Sequence, residues 1–207
     1  MFTRRSEFVA ILFLLICIAG CGAPRPMKYY VLDPGPPPAP SNAQYPITLL
    51  VGRITASHLY RDDRLVYGSG PVQLGVFDYE RWAEPPAEMI HDLLIASLRS
   101  TRQYQAVSSV SSNVRGDYVV RGQLWNLSEV DKPELMARFS FQIELFDPKT
   151  RTTVWSSRYE HDEPAQGKTV QSVVEAMDKN VRAGLQQLTA GLSEYFASHP
   201  VQQPTGN

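Results

Sequence analysis

The sequence predicts an α/β protein of the α+β kind: a single mixed, mostly antiparallel sheet packed against two long helices. Three observations carry that expectation. Leu135, Ala137, Phe139, Phe141, Ile143 and Leu145 alternate with Arg138, Ser140, Gln142 and Glu144, the period of a half-buried antiparallel strand. Ile90, Leu93, Leu94 and Leu98, and then Val170, Val173, Val174, Met177, Val181, Leu185, Leu188, Leu192, Tyr195 and Phe196, instead recur at three and four, which is one face of a helix. The rest is short β-branched and aromatic runs separated by glycine, proline and aspartate, which read as strands and turns. A meander of strands and two amphipathic helices bury their apolar faces together when both helices lie on one sheet.

The chain opens on a different kind of segment. After Arg4 and Arg5, the apolar run from Phe8 to Ala19 is twelve residues long, roughly 18 Å as a helix, against about 30 Å for a bilayer core. Basic residues, a short apolar run and then small residues are the order of a secretory signal peptide, here residues 1–20. Ile18, Ala19, Gly20 and Cys21 look like a bacterial lipobox, in which small residues fit the signal peptidase and the cysteine thiolate takes the lipid. Cleavage before Cys21 removes 20 of 207 residues and leaves 187, Cys17 is discarded, and Cys21 is the acylated residue. No thiol then remains for a disulfide or a zinc cluster. Two or more acyl chains hold stably where one binds marginally. Gly22 stands where aspartate retains such lipoproteins in the inner membrane, so the expected location is the outer membrane, periplasmic face.

Residues 21–28 read as a lipidated tether with about 25 Å of reach at 3.1 Å per residue, followed by a domain over 29–198 and a polar tail over 199–207. Within the domain, Tyr29 to Leu32 have edge-strand character, and Asp33 to Pro46 form a stiff proline-rich loop. Pro46 to Ile54 suits a buried central strand, and Arg64 to Phe77 two short strands meeting at Gly68-Ser69-Gly70-Pro71. Pro85 and Pro86 open a helix of about four turns, Tyr104 to Val107 is a short strand, and Tyr118, Val120 and Leu124 mark another. Asp147 to Thr150 turns the alternating strand into a partner around Val154 to Tyr159, and the last helix runs about 27 residues, roughly 40 Å.

Chemistry is harder to find. His58, His91, His161 and His199 lack the spacing that sets two ligands on one helix face, so no metal is expected. No serine-nucleophile motif occurs. Gly167-Lys168-Thr169 mimics the end of a phosphate-binding loop, but the glycine required upstream is Asp162. Glu84, Glu88 and Asp92 suit the start of a helix without any catalytic role. A formal charge of −1 and a pI near 6.4 leave no footprint for nucleic acid.

From Arg64 to Ile90 the chain reads RLVYGSGPVQLGVFDYERWAEPPAEMI. With the lipobox, YYVLD at Tyr29 to Asp33 and the long C-terminal helix, this order resembles the ABC-type transport auxiliary lipoproteins, the family of the paraquat-inducible outer-membrane lipoprotein, from Tyr29 to about Phe196. The resemblance implies a non-catalytic lipoprotein with no cofactor beyond its covalent acyl anchor. Its partner would be an MCE (mammalian cell entry) protein of an ABC system that moves phospholipid or another hydrophobic molecule between membranes. Homo-oligomerisation is compatible with it. Phe77, Tyr79, Arg81 and Trp82 are the candidate partner-binding residues, since Trp, Tyr and Arg are enriched at interface hot spots; burial of Trp82 at the base of the following helix is the simpler reading of that residue. From the residues alone, an envelope hydrolase acting on lipid or glycan and a structural scaffold stay open as alternatives.

Overall fold

The structure, a computed structural model, describes residues 25–36, 43–68, 72–131 and 134–200. In chain order they form β1 (Lys28–Tyr30), β2 (Tyr45–Ala56), β3 (Arg64–Gly68), β4 (Leu74–Trp82), α1 (Pro86–Ser100), β5 (Tyr104–Ser109), β6 (Tyr118–Asp131), β7 (Leu135–Asp147), β8 (Thr152–Pro164) and α2 (Val170–Ser198). A mixed, mostly antiparallel sheet with two helices is the fold that the alternation and the two helical stripes predict. The signal peptide, the lipobox residues Ile18, Ala19 and Gly20, the acceptor Cys21 and the residues 201–207 of the tail lie outside the described residues.

β6 is the spine of the sheet. One of its edges carries β7 antiparallel, and β8 follows β7, both over nearly the full strand length. Its other edge is shared: β2 runs parallel to Tyr118–Leu124 and β3 runs parallel to Ser128–Val130. β5 extends the β2 half, while β4 and then β1 extend the β3 half. The division falls where the β6 register slips between Leu124 and Asn126, and where a single 3-10 turn, His58–Tyr60, separates β2 from β3. An extra residue in one strand bends it and sharpens its twist, so the two halves of the sheet diverge from one continuous strand.

Both helices cover the same face. α1 lies on β2 and β5, α2 on β7 and β8, and the helices touch each other. The alternating residues Ala137, Phe139, Phe141, Ile143 and Leu145 are fully buried beneath α2, as are Val173, Val181, Leu188 and Leu192 of its stripe. Close approach is possible because α2 carries Gly184 against the sheet. A Cβ there would stand 2.7 Å from the Tyr159 ring and 2.8 Å from Phe139. One polar residue enters this seam: buried Asn180 donates to the carbonyls of Ala137 (2.8 Å) and His161 (2.9 Å) and accepts from the Tyr159 hydroxyl (2.8 Å). Near its C-terminal end α2 inserts Phe196 among Tyr45, Tyr104 and Tyr118, at ring separations of 5.5–5.9 Å.

The opposite face of β6–β8 is polar. Arg138 clasps Asp162 with two bonds of 2.7 and 2.6 Å, and Arg121 lies over the Phe146 ring at 3.6 Å. The Arg138 guanidinium, by hydrogen bond and charge, holds the Asp162 carboxyl below its ordinary range, against the opposing effect of burial. Stability drawn from this pair is therefore present above the unfolded aspartate pKa and is lost as pH falls through the depressed one. An antiparallel sheet with one solvated face is expected to look like this.

Candidate docking surface

Within Arg64 to Trp82, β3 and β4 pair antiparallel as the arms of a hairpin, and Ser69, Gly70 and Pro71 of the predicted turn lie outside the described residues. Val66, Tyr67 and Gly68 face Val76, Gly75 and Leu74, yet Arg64 faces Arg81, so β4 carries extra residues between Val76 and Arg81. That bulge re-aims the side chains along it. Gly75 leaves the space that the Tyr67 ring fills, since a Cβ there would stand 2.5 Å from the ring. Phe77 packs on Tyr67 at 4.9 Å between ring centroids. Beyond the bulge Arg81 Nη1 donates to Asp63 Oδ1 at 2.8 Å, and the Arg81 Nε is buried with no partner among the described residues. Trp82 is 1 % exposed, its amide donates to the Asp63 carbonyl, and the next amide, of Ala83, donates to Tyr30.

The four candidate residues therefore occupy one strand but different environments. Trp82 belongs to the core. Arg81 is held by Asp63, Phe77 is half-buried against Tyr67, and Tyr79 is 43 % exposed. Arg25 lies over that ring at 5.9 Å. Charge reversal at Arg81 would set a carboxylate beside Asp63 and disturb the hairpin itself, so binding and folding are not separable there.

Two clefts flank the helices. The first, about 550 Å³, lies between α1 and α2, with Leu93, Ala96, Ala183 and Leu185 among its walls and Pro34 to Pro36 along its rim. Its rim charges are paired: Arg182 with Asp178 and Asp33, Lys179 with Glu163. Asp178 also accepts from the Asp33 amide at 2.7 Å, which ties the chain leaving β1 to the middle of α2. Burial pushes the Asp178 carboxyl up, opposed by that amide and by Arg182. The second cleft, about 740 Å³, opens where α2 begins, beside Phe77, Glu129, Asp131 and Leu135. Burial, then the charge of Asp131, raises the Glu129 carboxyl. The Gly167-Lys168-Thr169 run lies at this cleft as a helix cap: Thr169 Oγ1 accepts from the Ser172 amide and Ser172 Oγ accepts from the Thr169 amide, in a reciprocal capping box. Among the described residues no three His, Cys, Asp or Glu side chains gather as metal ligands, and no helix is long and apolar enough to cross a membrane.

The sequence pattern of the family described as "ABC-type transport auxiliary lipoprotein component" matches residues 30–189. The chain belongs to that family. The match begins within β1 and ends inside α2, so it takes in the hairpin, both clefts and every strand that follows. Among solved structures the chain is similar to the protein XCC0632 from Xanthomonas campestris, at 18% identity and a TM-score of 0.75, covering 83% of this chain and 99% of that one. It is also similar to an uncharacterized protein at 14% identity and a TM-score of 0.61, with the same coverage of 83% and 99%. The hypothetical protein CT253 from Chlamydia trachomatis follows at 8% identity and 0.53, covering 75% and 99%. At these identities the likeness is one of fold. No curated protein matches the chain by sequence.

What sequence reading missed on this surface is the clamp of Asp33 onto α2 and the exposed residues Met27 and Val31 beside Tyr29. The first needs two residues 145 positions apart, which no local pattern signals. The second reads as strand chemistry, whose outward face only the pairing fixes.

Proposed function

We propose that this family member is a non-catalytic docking lipoprotein, held by an acylated Cys21 on the periplasmic face of the outer membrane, for an MCE-linked ABC system that moves phospholipid or another hydrophobic molecule between membranes. The observation that carries the reading is the family match across residues 30–189, which makes the chain an auxiliary component of an ABC-type transport system. The lipobox Ile18-Ala19-Gly20-Cys21 and Gly22 support the anchor and its membrane. Reach supports this choice of partner. A tether of residues 21–28 allows about 25 Å at 3.1 Å per residue, so the domain meets a protein that itself approaches the outer membrane, as an elongated MCE assembly does, and an ATPase on the far side is out of range.

Two results test this reading. Radiolabelled palmitate is expected to mark the wild type and to leave Cys21→Ser unlabelled and unprocessed, because the chain has no other cysteine after Cys17; equal labelling would remove the anchor. A photoreactive side chain at Tyr79, the exposed member of the hairpin set, is expected to crosslink to the MCE protein in intact envelopes and to give no product with the ATPase. A Tyr79 crosslinked only to the ATPase, or an MCE protein that never co-purifies with the chain, would defeat the docking role.

A further inference from the structure

β1 is an edge strand: among the described residues it pairs with β4 on one side only, Tyr29 opposite Arg81 and Lys28 opposite Glu80. Its two faces differ. Inward, Tyr30 donates to Glu80 at 2.7 Å and is half-buried. Outward, the period of two along an extended chain places Met27, Tyr29 and Val31 together, and they are 41, 63 and 65 % exposed. Arg25 continues the same period and lies over Tyr79, which stands two residues before the Arg81 that faces Tyr29. Thioether, phenol and isopropyl groups in water at a sheet edge form a surface that natural edges normally cover or charge.

The chain itself names what lies nearby. Resting on the reading that Cys21 is acylated, we infer that the Met27–Tyr29–Val31 strip is a membrane-contact surface that seats the domain on the phospholipid leaflet holding its own anchor. Arg25 stands four positions and Met27 six positions after Cys21, which covalent geometry limits to about 14 and about 20 Å. An acylated cysteine lies at the headgroup level, so the strip cannot stand far from lipid. Its composition suits that depth. Tyrosine favours the interface between water and acyl chains, and Arg25, on the strip's own face, adds a cation that fits phosphate-bearing headgroups, while Lys28 on the other face is paired with Glu80 at 3.1 Å.

The surroundings agree with such an orientation. Leu32 turns back into the core, and Asp33 is fixed to Asp178 and Arg182 of α2, so the strip is held at the C-terminal end of its short strand. Helix α2 lies on the other face of the sheet from the polar side chains; with the strip seated on lipid, the β1 edge faces the leaflet and β8, at the opposite edge, points away. Tyr79 sits at the inner border of the strip, where a protein abutting the leaflet remains within reach.

The experiment uses the processed, lipidated full chain, whose single cysteine is acylated and therefore silent to thiol dyes. Tyr29→Cys, Val31→Cys and, as a control on exposed α2 surface, Gln187→Cys each receive an environment-sensitive fluorophore. They are reconstituted into phosphatidylethanolamine–phosphatidylglycerol vesicles with and without a headgroup-proximal spin-labelled lipid. The expected result is flotation of all three with the vesicles, with emission blue-shifted and at least halved by the quencher at positions 29 and 31 and unchanged at 187. Flotation with equal emission at all three positions would overturn the contact while leaving the anchor intact. Quenching at 29 and 31 that appears only when the chain is dimeric by crosslinking would assign the strip to a second copy and overturn the lipid contact as well. Failure to float would remove the Cys21 anchor and the contact with it.

Discussion

Leu185→Asp is expected to abolish the folded state: no cooperative unfolding transition by circular dichroism, and protein recovered as aggregate. Leu185 is 4 % exposed and lies on α2 between Val181 and Leu188, both at 0 %. The cations lining the adjoining cleft, Arg182 and Lys179, are already paired with Asp178, Asp33 and Glu163, so a carboxylate there gains no free partner. An uncompensated buried charge costs several kcal/mol, against a total stability of about 5–15 kcal/mol for a domain. Truncation to alanine is the measured contrast, since Leu→Ala costs about 2–5 kcal/mol by cavity and transfer alone and should leave a folded protein with a lower midpoint. A Leu185→Asp protein that melts at the wild-type temperature would mean that this face of α2 is accessible, and that the stripe serves a partner.

The stripe was legible because a helix 29 residues long repeats its signal many times. Other parts of the fold signal less. β6 runs to Asp131, yet Tyr118, Val120 and Leu124 alone announce it. At the bulge the phase changes: Leu124 and Leu127 are both 1 % exposed although three positions apart, and Trp125 between them is 46 % exposed. Strict alternation therefore ends while the strand continues. The four parallel ladders are equally silent in sequence, because each is short and joins strands through register rather than through a turn. β2 begins at Tyr45, one residue before the strand that Pro46 to Ile54 predicts, and ends at Ala56, two residues after it; Pro46 is tolerated because a missing amide does no harm near the start of a strand.

The candidate surface divides along the same line. Aromatic and basic residues at 77–82 drew attention through residue type, and type does not fix orientation. In the fold Trp82 closes the core and Arg81 braces Asp63, both ordinary structural duties, while Tyr79 stays in solvent. Burial decides between those roles, and burial depends on where β1 and the 3-10 turn meet the hairpin. The capping box at Thr169 makes the converse point. Its residues were conspicuous as a broken phosphate loop, and the same small polar side chains that would suit a phosphate also satisfy the amides of a helix start.

Asn180→Leu is the second large effect expected, and it isolates a polar contribution inside an apolar seam. The substitution keeps the number and branching of the side-chain heavy atoms and adds no charge, but it withdraws two donors from the Ala137 and His161 carbonyls and the acceptor from the Tyr159 hydroxyl, in a site 0 % exposed. Each buried polar group left unsatisfied costs about 1–3 kcal/mol, so the midpoint of urea unfolding should fall well below that of an exposed control such as Gln187→Leu. Tyr159→Phe removes a single bond of the set and should fall less. Combining the two changes should cost less than their sum, because once the amide is gone the hydroxyl has no bond left to lose. Strict additivity would show that the three bonds act independently. An unchanged midpoint for Asn180→Leu would mean that leucine packing between α2 and β7–β8 offsets the lost bonds, and that Asn180 serves to fix the helix on the two strands rather than to stabilise it there.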